Sequence, residues 1–536
     1  MDQLARRLGL RTNATIFFSA SAFMVVFLAA LLLAPSIIGA FFESGREWVV
    51  TNLGWFFIAG VNIWLAFLVW IACSRHGHII LGKTDTKPDF DNLSWFTMLF
   101  AGGIGTVLMF WGVAEPMSHF SEPPRETVEP YSIAAAEDAM SFALYHLGLH
   151  TWTIFTLPGL AFAYFIHRYD LPVRVSSVFY PLLRDRIYGP IGKMIDVAAI
   201  LGTLFGVAVS LGLGSSQIAA GLSELTGLDN TTWMRISIIA VLTGVAVGSI
   251  IAGLDSGVKL LSNINIGMAV GLLVFVLVTG STLFLLRGIV QTLGLYLGNL
   301  PQLAFWNDML AYAHESGDGW GWQGSWTVFY WAWTVTWSPF IGLFVARISR
   351  GRTIREFVLG VLLAPSAFTL VWFAIFGWQA MQIDGIGETA RAAMGDEAGA
   401  LSRAVADSVP LAMFAFFEHF PFTTLIQGLA VVIVAIFFAT SSDSASLVVD
   451  MLCTGEETPG PWPQRVYWGM AEGVIAGMLI WLAGDEGLNA LQQVITVIGL
   501  PIFILVSLMI PSILKGLKAE EIDYVEIKDS PELDNI

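Results

Sequence analysis

Apolar residues run along this chain in blocks of about 20, the length that crosses a bilayer, rather than in the one-sided stripes of a soluble helix. Twelve such blocks are read, near 15–40, 53–73, 93–114, 139–166, 194–223, 234–253, 260–286, 326–346, 357–379, 421–447, 466–483 and 488–513. A further apolar stretch, 288–312, is interrupted by Gly and Pro and is expected to lie as an interfacial helix. The first block is too long for the core of a cleaved signal and is followed by more blocks, so it reads as a retained span. The polar segment 383–409 is Ala/Gly-rich with helical spacing and is expected to form a surface helix.

The basic residues orient these spans. With the N-terminus inside, 20 of the 26 Lys and Arg fall on the inner segments, among them Arg168, Arg174, Arg347, Arg350, Arg352 and Arg355. Positive charge collects on the cytoplasmic side, so both termini are placed there. The net charge of −16 then sits almost wholly on the outer face, as a solvated acidic surface or one that attracts cations. Composition agrees with the spans: 56% of residues are apolar and 13% charged, where soluble domains run near a quarter charged. Two cysteines, Cys73 and Cys453, exclude a disulfide scaffold and a cysteine metal cage. An acidic chain with no basic tract is a poor nucleic-acid binder. No phosphate-binding loop, HExxH or GxSxG pattern occurs, so no enzyme is expected.

Two spans are chemically odd. Span three carries AGGIGTVLMFWG, where Gly102, Gly103 and Gly105 remove side chains from successive turns. Span eight carries WTVFYWAWTVTWSPFIG, where Pro339 lacks a backbone donor in mid-membrane. Irregular backbone persists in lipid only where it faces protein, a cavity or an ion. Interrupted helices at matching positions of two halves point to a binding site between inverted repeats, here spans 3–7 and 8–12. For span three alone, close helix packing on glycine is the alternative.

Within span eight, Trp326, Tyr330, Trp333 and Trp337 share one helical face. Indole faces attract a weakly hydrated cation by about 0.5–2 kcal/mol per contact, which suits quaternary ammonium or sulfonium groups. An interface belt accounts for Trp326, and poorly for the deeper Trp333 and Trp337. Span ten carries FFATSSDSAS, whose Thr440, Ser441 and Ser442 offer the oxygen ligands that hard cations such as sodium prefer. Hydroxyls bonded back to their own helix are the bland alternative. Asp443 is either functional or a cap or pair near the inner end of its span. Glu472 either accepts a proton or lies near the inner surface. His146 and His150, one turn apart, have no evident third ligand and read as hydrogen-bonded core histidines, while Glu115, Pro116 and His119 read as helix-end structure.

The run WTVFYWAWTVTWSPFIGLFVARISRGRTIREFVLG, together with AGGIGTVLMFWGVAEP, FGVAVSLGLGSSQIAAGL and FFATSSDSAS, closely resembles the betaine/choline/carnitine transporter (BCCT) family over about residues 90–513. The resemblance implies a LeuT-type inverted repeat of five helices after two extra spans, commonly a homotrimer, and alternating access for small zwitterions bearing an onium group. It places the family's aromatic box on Leu147, Trp152, Phe155 and Thr334, with Trp337 as a second substrate contact and Trp333 in the pathway lining. Gly103 and Gly105 join the substrate set. Leu147 and Thr334 stand where glycine betaine carriers usually have Trp, and Phe155 where they have Tyr. That departure points away from glycine betaine as best substrate, toward a solute such as ectoine or dimethylsulfoniopropionate. For sodium, the resemblance implies Ala101, Ile104, Phe437, Thr440 and Ser441. Span five, from Ile195 to Leu222, has no Lys or Arg where sodium-independent members place an Arg. Val107 stands at the third position of the family's glycine pattern, and the short acidic tail lacks the long basic helix of some members.

The expectation is therefore an all-α polytopic membrane protein of twelve transmembrane helices. A tail (1–14) precedes two peripheral spans (15–92), the first repeat (93–286), an outer connection (287–325), the second repeat (326–513) and an acidic inner tail (514–536). It imports a small zwitterion in a bacterial inner membrane, coupled to sodium, with no other cofactor and a homotrimer as its assembly. The alternatives are an ion-independent exchanger of the carnitine type, a proton-coupled symporter and, remotely, a membrane sensor.

Overall fold

The computed structural model describes residues 1–101, 104–252, 255–311, 321–484 and 487–528. The long helices, in chain order, are α1 (Ala14–Leu33), α2 (Pro35–Cys73), α3 (Asn92–Ala101), α4 (Ile104–Ser121), α5 (Ile133–Leu147), α6 (Leu149–Phe162), α7 (Pro190–Thr226) and α8 (Thr232–Ala252). They continue as α9 (Asp255–Thr279), α10 (Thr282–Ala304), α11 (Phe329–Ile348), α12 (Ile354–Asp384), α13 (Thr423–Thr454), α14 (Trp462–Ala483), α15 (Gly487–Ser507) and α16 (Met509–Lys528). Local signals set several ends. Asn13 caps α1 by accepting from the Ile16 amide, and Thr353 with Glu356 forms a reciprocal capping box at the start of α12. Gly227 and Gly455, both left-handed, stop α7 and α13. No strand occurs among the described residues.

Among the described residues, eleven helical stretches are long and apolar enough to cross a membrane, and the chain is an all-α polytopic membrane protein. These eleven differ from the expected twelve. The stretch 288–312, expected to be interfacial, falls largely within one continuous apolar helix, Thr282–Ala304, long enough to cross a membrane. Span three is two shorter helices, α3 and α4, and its Gly102 and Gly103 lie outside the described residues. Span eleven corresponds to α14, a 22-residue helix that carries Glu472 within its apolar part.

Burial sorts centre from rim. The most apolar stretches of 133–168 and 321–348 are 94% buried, against 28% for α1 and α8 and 22% for α10. The centre is therefore α5, α6 and α11. There α6 and α11 meet backbone to backbone: a Cβ added to Gly342 would lie 3.1 Å from the Gly159 nitrogen. Residues 79–81 are laced to 351–354 by main-chain bonds of 2.8–2.9 Å. Arg352 sits 3.9 Å above the Trp95 ring and donates to Asn92 Oδ1 and the Phe90 carbonyl. Trp95 Nε1 donates to Ser349 Oγ at 2.9 Å, so the start of α3 is fastened to the α11–α12 turn.

Three expectations are corrected. Pro339 does not interrupt span eight: α11 runs unbroken through it, and the irregularity is a widened π-helical turn at Gly324–Val328, just before the helix. The segment 383–409 is not one surface helix. It forms two short ones, Glu388–Met394 and Ala400–Asp407, because Gly395 and Gly399 take positive φ of 61° and 76° between them. Residues 514–528 are not a free tail but part of α16, where Glu520 accepts from Arg168 Nε at 2.6 Å and from the Tyr164 hydroxyl at 2.7 Å.

Candidate functional site

Most candidate substrate residues lie on the three central helices, Leu147 on α5, Trp152 and Phe155 on α6, and Trp333, Thr334 and Trp337 on α11, with Gly105 on α4. Helix α5 ends at Leu147, and Gly148 offsets the chain before α6 resumes. One turn on, Trp152 meets Phe155 edge to face with centroids 5.6 Å apart. Both are buried, and the Trp152 indole N–H has no hydrogen-bond partner among the described residues. Across from them, α11 presents its aromatic face. Trp333 stacks on Phe329 at 5.7 Å and donates from Nε1 to Ser210 Oγ of α7 at 3.0 Å, which holds its ring in the wall. Trp337 packs on Phe340 at 5.8 Å and, like Trp152, has a buried indole N–H without a partner. Thr334 donates to the Tyr330 carbonyl at 2.7 Å, so its one proton is spent within its own helix.

The candidate sodium residues are partly legible in the structure. Gly103 lies outside the described residues, and so do the side chains of Ala101 and Ile104. The Phe437 ring of α13 packs directly on Gly105 of α4, where any Cβ would collide with it. Thr440, half-buried, donates to the Ile436 carbonyl at 2.8 Å, which leaves its oxygen lone pairs available. Ser441 is half-buried beside it. These are neutral oxygens, the donor type a hard monovalent cation accepts. Gln217 of α7 donates to the Met109 carbonyl of α4 at 2.6 Å and braces the second half of span three.

The neighbouring acids are deeper than the sequence suggests. Glu472 is fully buried rather than at the inner surface, and accepts from Ser442 Oγ at 2.7 Å across the α13–α14 contact. Asp443 is buried as well.

The structure also assembles a group that sequence reasoning missed. Glu115 and His119 are both fully buried: His119 lies in the last turn of α4, as helix-end structure, and Glu115 one turn before it. Glu115 Oε1 lies 2.6 Å from His146 Nδ1 of α5 and 3.4 Å from His119 Nε2. Its other oxygen accepts from the Tyr330 hydroxyl at 2.8 Å, and His146 Nε2 lies 2.8 Å from Thr327 Oγ1. His150 turns the other way, bonded to Asn62 at 3.0 Å and stacked on Trp331. The i, i+4 spacing of Glu115 and His119 was the available signal. Their partner His146 lies 31 residues on, and Tyr330 another 184, which no local pattern reports.

On the outer side, by the orientation that the basic residues set, a polar cavity is lined by Phe110, Leu213, Ser216, Arg235, Asp407 and Asn489, and it reaches α4 and α7 from the segment after Asp407.

Comparison with known proteins agrees with this architecture. The model of the betaine/carnitine/choline family transporters matches residues 15–522. The chain is 44% identical to an ectoine/glycine betaine/proline transporter of Corynebacterium glutamicum, over 96% of this chain and 81% of that one. It is 38% identical to a glycine betaine transporter of Acinetobacter baylyi, over 97% and 75%. It is also 38% identical to glycine betaine transporter 1 of Vibrio parahaemolyticus, over 96% and 95%. A family match along almost the whole chain, on an all-helical membrane fold with a buried aromatic centre, makes this protein a member of the betaine/carnitine/choline transporter family, a transporter and not an enzyme.

Proposed function

We propose that this protein imports a small zwitterionic compatible solute across a bacterial inner membrane, by alternating access and coupled to sodium. The observation that carries the reading is the buried Trp152–Phe155 pair on α6, packed beside the aromatic face of α11. An indole face suits an onium group, and the unpartnered N–H groups of Trp152 and Trp337 are donors for a carboxylate. The cage holds fewer indoles than the family's usual box, since Leu147 and Thr334 stand in two positions and Trp333 is tied to Ser210. That favours a substrate whose cation is delocalised in a ring, such as ectoine, over a compact trimethylammonium head. The relative described as an ectoine/glycine betaine/proline transporter fits this choice.

Sodium coupling is supported by the neutral oxygens of Thr440 and Ser441 beside the Gly105–Phe437 contact. Twelve spans, a LeuT-type inverted repeat, cytoplasmic termini and a homotrimer belong to the same reading. A second reading, proton coupling, is favoured by buried Glu472 on Ser442, adjacent to that oxygen set.

Uptake of a labelled solute panel into proteoliposomes tests both, with an inward sodium gradient, an inward proton gradient, or none. Sodium-driven accumulation, with ectoine ahead of glycine betaine, is the expected result. Thr440→Ala and Ser441→Ala should each raise the half-saturating sodium concentration about tenfold, ~1.4 kcal/mol. Proton-driven accumulation abolished by Glu472→Gln would replace sodium with the second reading. Exchange that needs no gradient would overturn both.

A further inference from the structure

From Glu115, His119 and His146 we infer a binding site for a divalent transition-metal ion that clamps α4 to α5 on the outer side of the substrate region. Each of the three residues offers one ligand atom, and these atoms lie within 4.8 Å of one another. A tetrahedral zinc ion with bonds of about 2.0–2.1 Å sets its ligands about 3.4 Å apart. Glu115 Oε1 is already 3.4 Å from His119 Nε2 and 2.6 Å from His146 Nδ1, so of the three edges one is in place, one needs a modest opening, and the third, between the two imidazoles, lies within 4.8 Å.

The donors select the metal. Two imidazole nitrogens and one carboxylate oxygen suit zinc and its neighbours, whereas calcium and magnesium require oxygen shells. The outer partners are also present. Ligating histidines typically donate their second nitrogen, and ligating carboxylates are themselves hydrogen-bonded. His146 Nε2 faces Thr327 Oγ1 at 2.8 Å, and Glu115 Oε2 accepts from the Tyr330 hydroxyl at 2.8 Å. His119 Nδ1 is buried without a partner among the described residues, so no other bond fixes that ring's tautomer.

The proton balance closes. Without metal, one proton is shared between Glu115 Oε1 and His146 Nδ1, and metal binding displaces it from that bond. With metal, the same neutral ring carries its proton on Nε2, donates it to Thr327, and frees Nδ1 as a ligand. Glu115 then supplies one negative charge against two positive ones, and the fourth position takes water or an anion. Trp326 lies 4.5 Å from His119 between centroids and covers the group, so the ion enters when the outer side opens. Once bound, it ties α4 to α5, and through Thr327 and Tyr330 to the start of α11. In a transporter that alternates access, this tie holds one state; that consequence rests on the function proposed above, while the binding does not.

The test begins with untagged or Strep-tagged protein in detergent, stripped of metal and titrated with zinc by equilibrium dialysis. One zinc per chain is expected, displaced by cadmium or nickel and not by excess magnesium or calcium. His119→Ala and His146→Ala should each weaken binding more than tenfold. Thr327→Val, which removes an outer partner only, should weaken it about 10–100-fold. His119→Cys, a replacement with another zinc ligand, should restore binding and guards against a variant that simply misfolds. No stoichiometric zinc on the wild type, or zinc that persists in the double His119→Ala/His146→Ala variant, would overturn the site. In uptake assays micromolar zinc should inhibit the wild type and spare His119→Ala. Zinc bound without inhibition would overturn the clamp. A chain that transports nothing yet binds zinc would overturn the function and keep the site.

Discussion

Trp152 is the residue on which the substrate reading turns, because it is the one indole retained among the four box positions. Its ring is buried against Phe155, so replacing it removes a cation–π face. Trp152→Ala should raise the KM for an onium substrate roughly 2- to 30-fold, the equivalent of about 0.5–2 kcal/mol. Uptake kinetics check this, and an unchanged KM would move the substrate elsewhere. Which residues are proposed for the cage could be read from the chain by family resemblance. Which of them are free to act could not. Trp333 is occupied by Ser210, 123 residues away, and Thr334 by its own helix. Glu115 and His119 looked like the close of a helix because Glu-Pro commonly marks one. Only the fold brings His146, Thr327 and Tyr330 around them.

Helices were legible wherever an apolar block stood between polar segments, and misread where one residue type had to decide. Pro339 was expected to break span eight, yet the helix continues, since a proline costs one amide bond and one clash that a packed neighbour can absorb. Gly395 and Gly399 did break a helix, through positive φ. The apolar run at 282–304 is a full helix although Gly288, Gly294, Gly298 and Pro301 all lie inside it. One fastening of an element to its neighbour was hidden altogether. Arg352 reaches from the turn before α12 to the first turn of α3, stacked on Trp95 and bonded to Asn92 and Phe90. It is only 3% exposed, so its contacts are poorly replaced by water. Arg352→Ala should cost about 2–3 kcal/mol, from a desolvated cation–π contact and bonds to a charged donor. Arg352→Lys should recover part of this, since a single ammonium cannot span both acceptors in the same way. The melting temperature of the purified protein in detergent reads both, and an unshifted Arg352→Ala would show that this strap is held by its main chain alone.

For the whole molecule, the distribution of basic residues sets a direction that side-chain packing does not, and the two native cysteines make it testable. Cys73 closes α2 and is exposed, while Cys453 is buried in the last turn of α13. With 20 of the 26 Lys and Arg on the segments that include Arg75 and Arg174, the proposed orientation puts both cysteines in the inner half of the protein. A membrane-impermeant maleimide should therefore label Cys73 in inside-out vesicles and leave it unlabelled in intact cells. Cys453 should stay unlabelled in both until the protein is denatured, because a thiol must reach water and ionise to react. Cys73→Ser should abolish native labelling without changing uptake, which fixes the signal to one residue. Labelling of Cys73 from outside would reverse the whole topology. It would also put the acidic surface and the cavity at Arg235 and Asp407 on the cytoplasmic side.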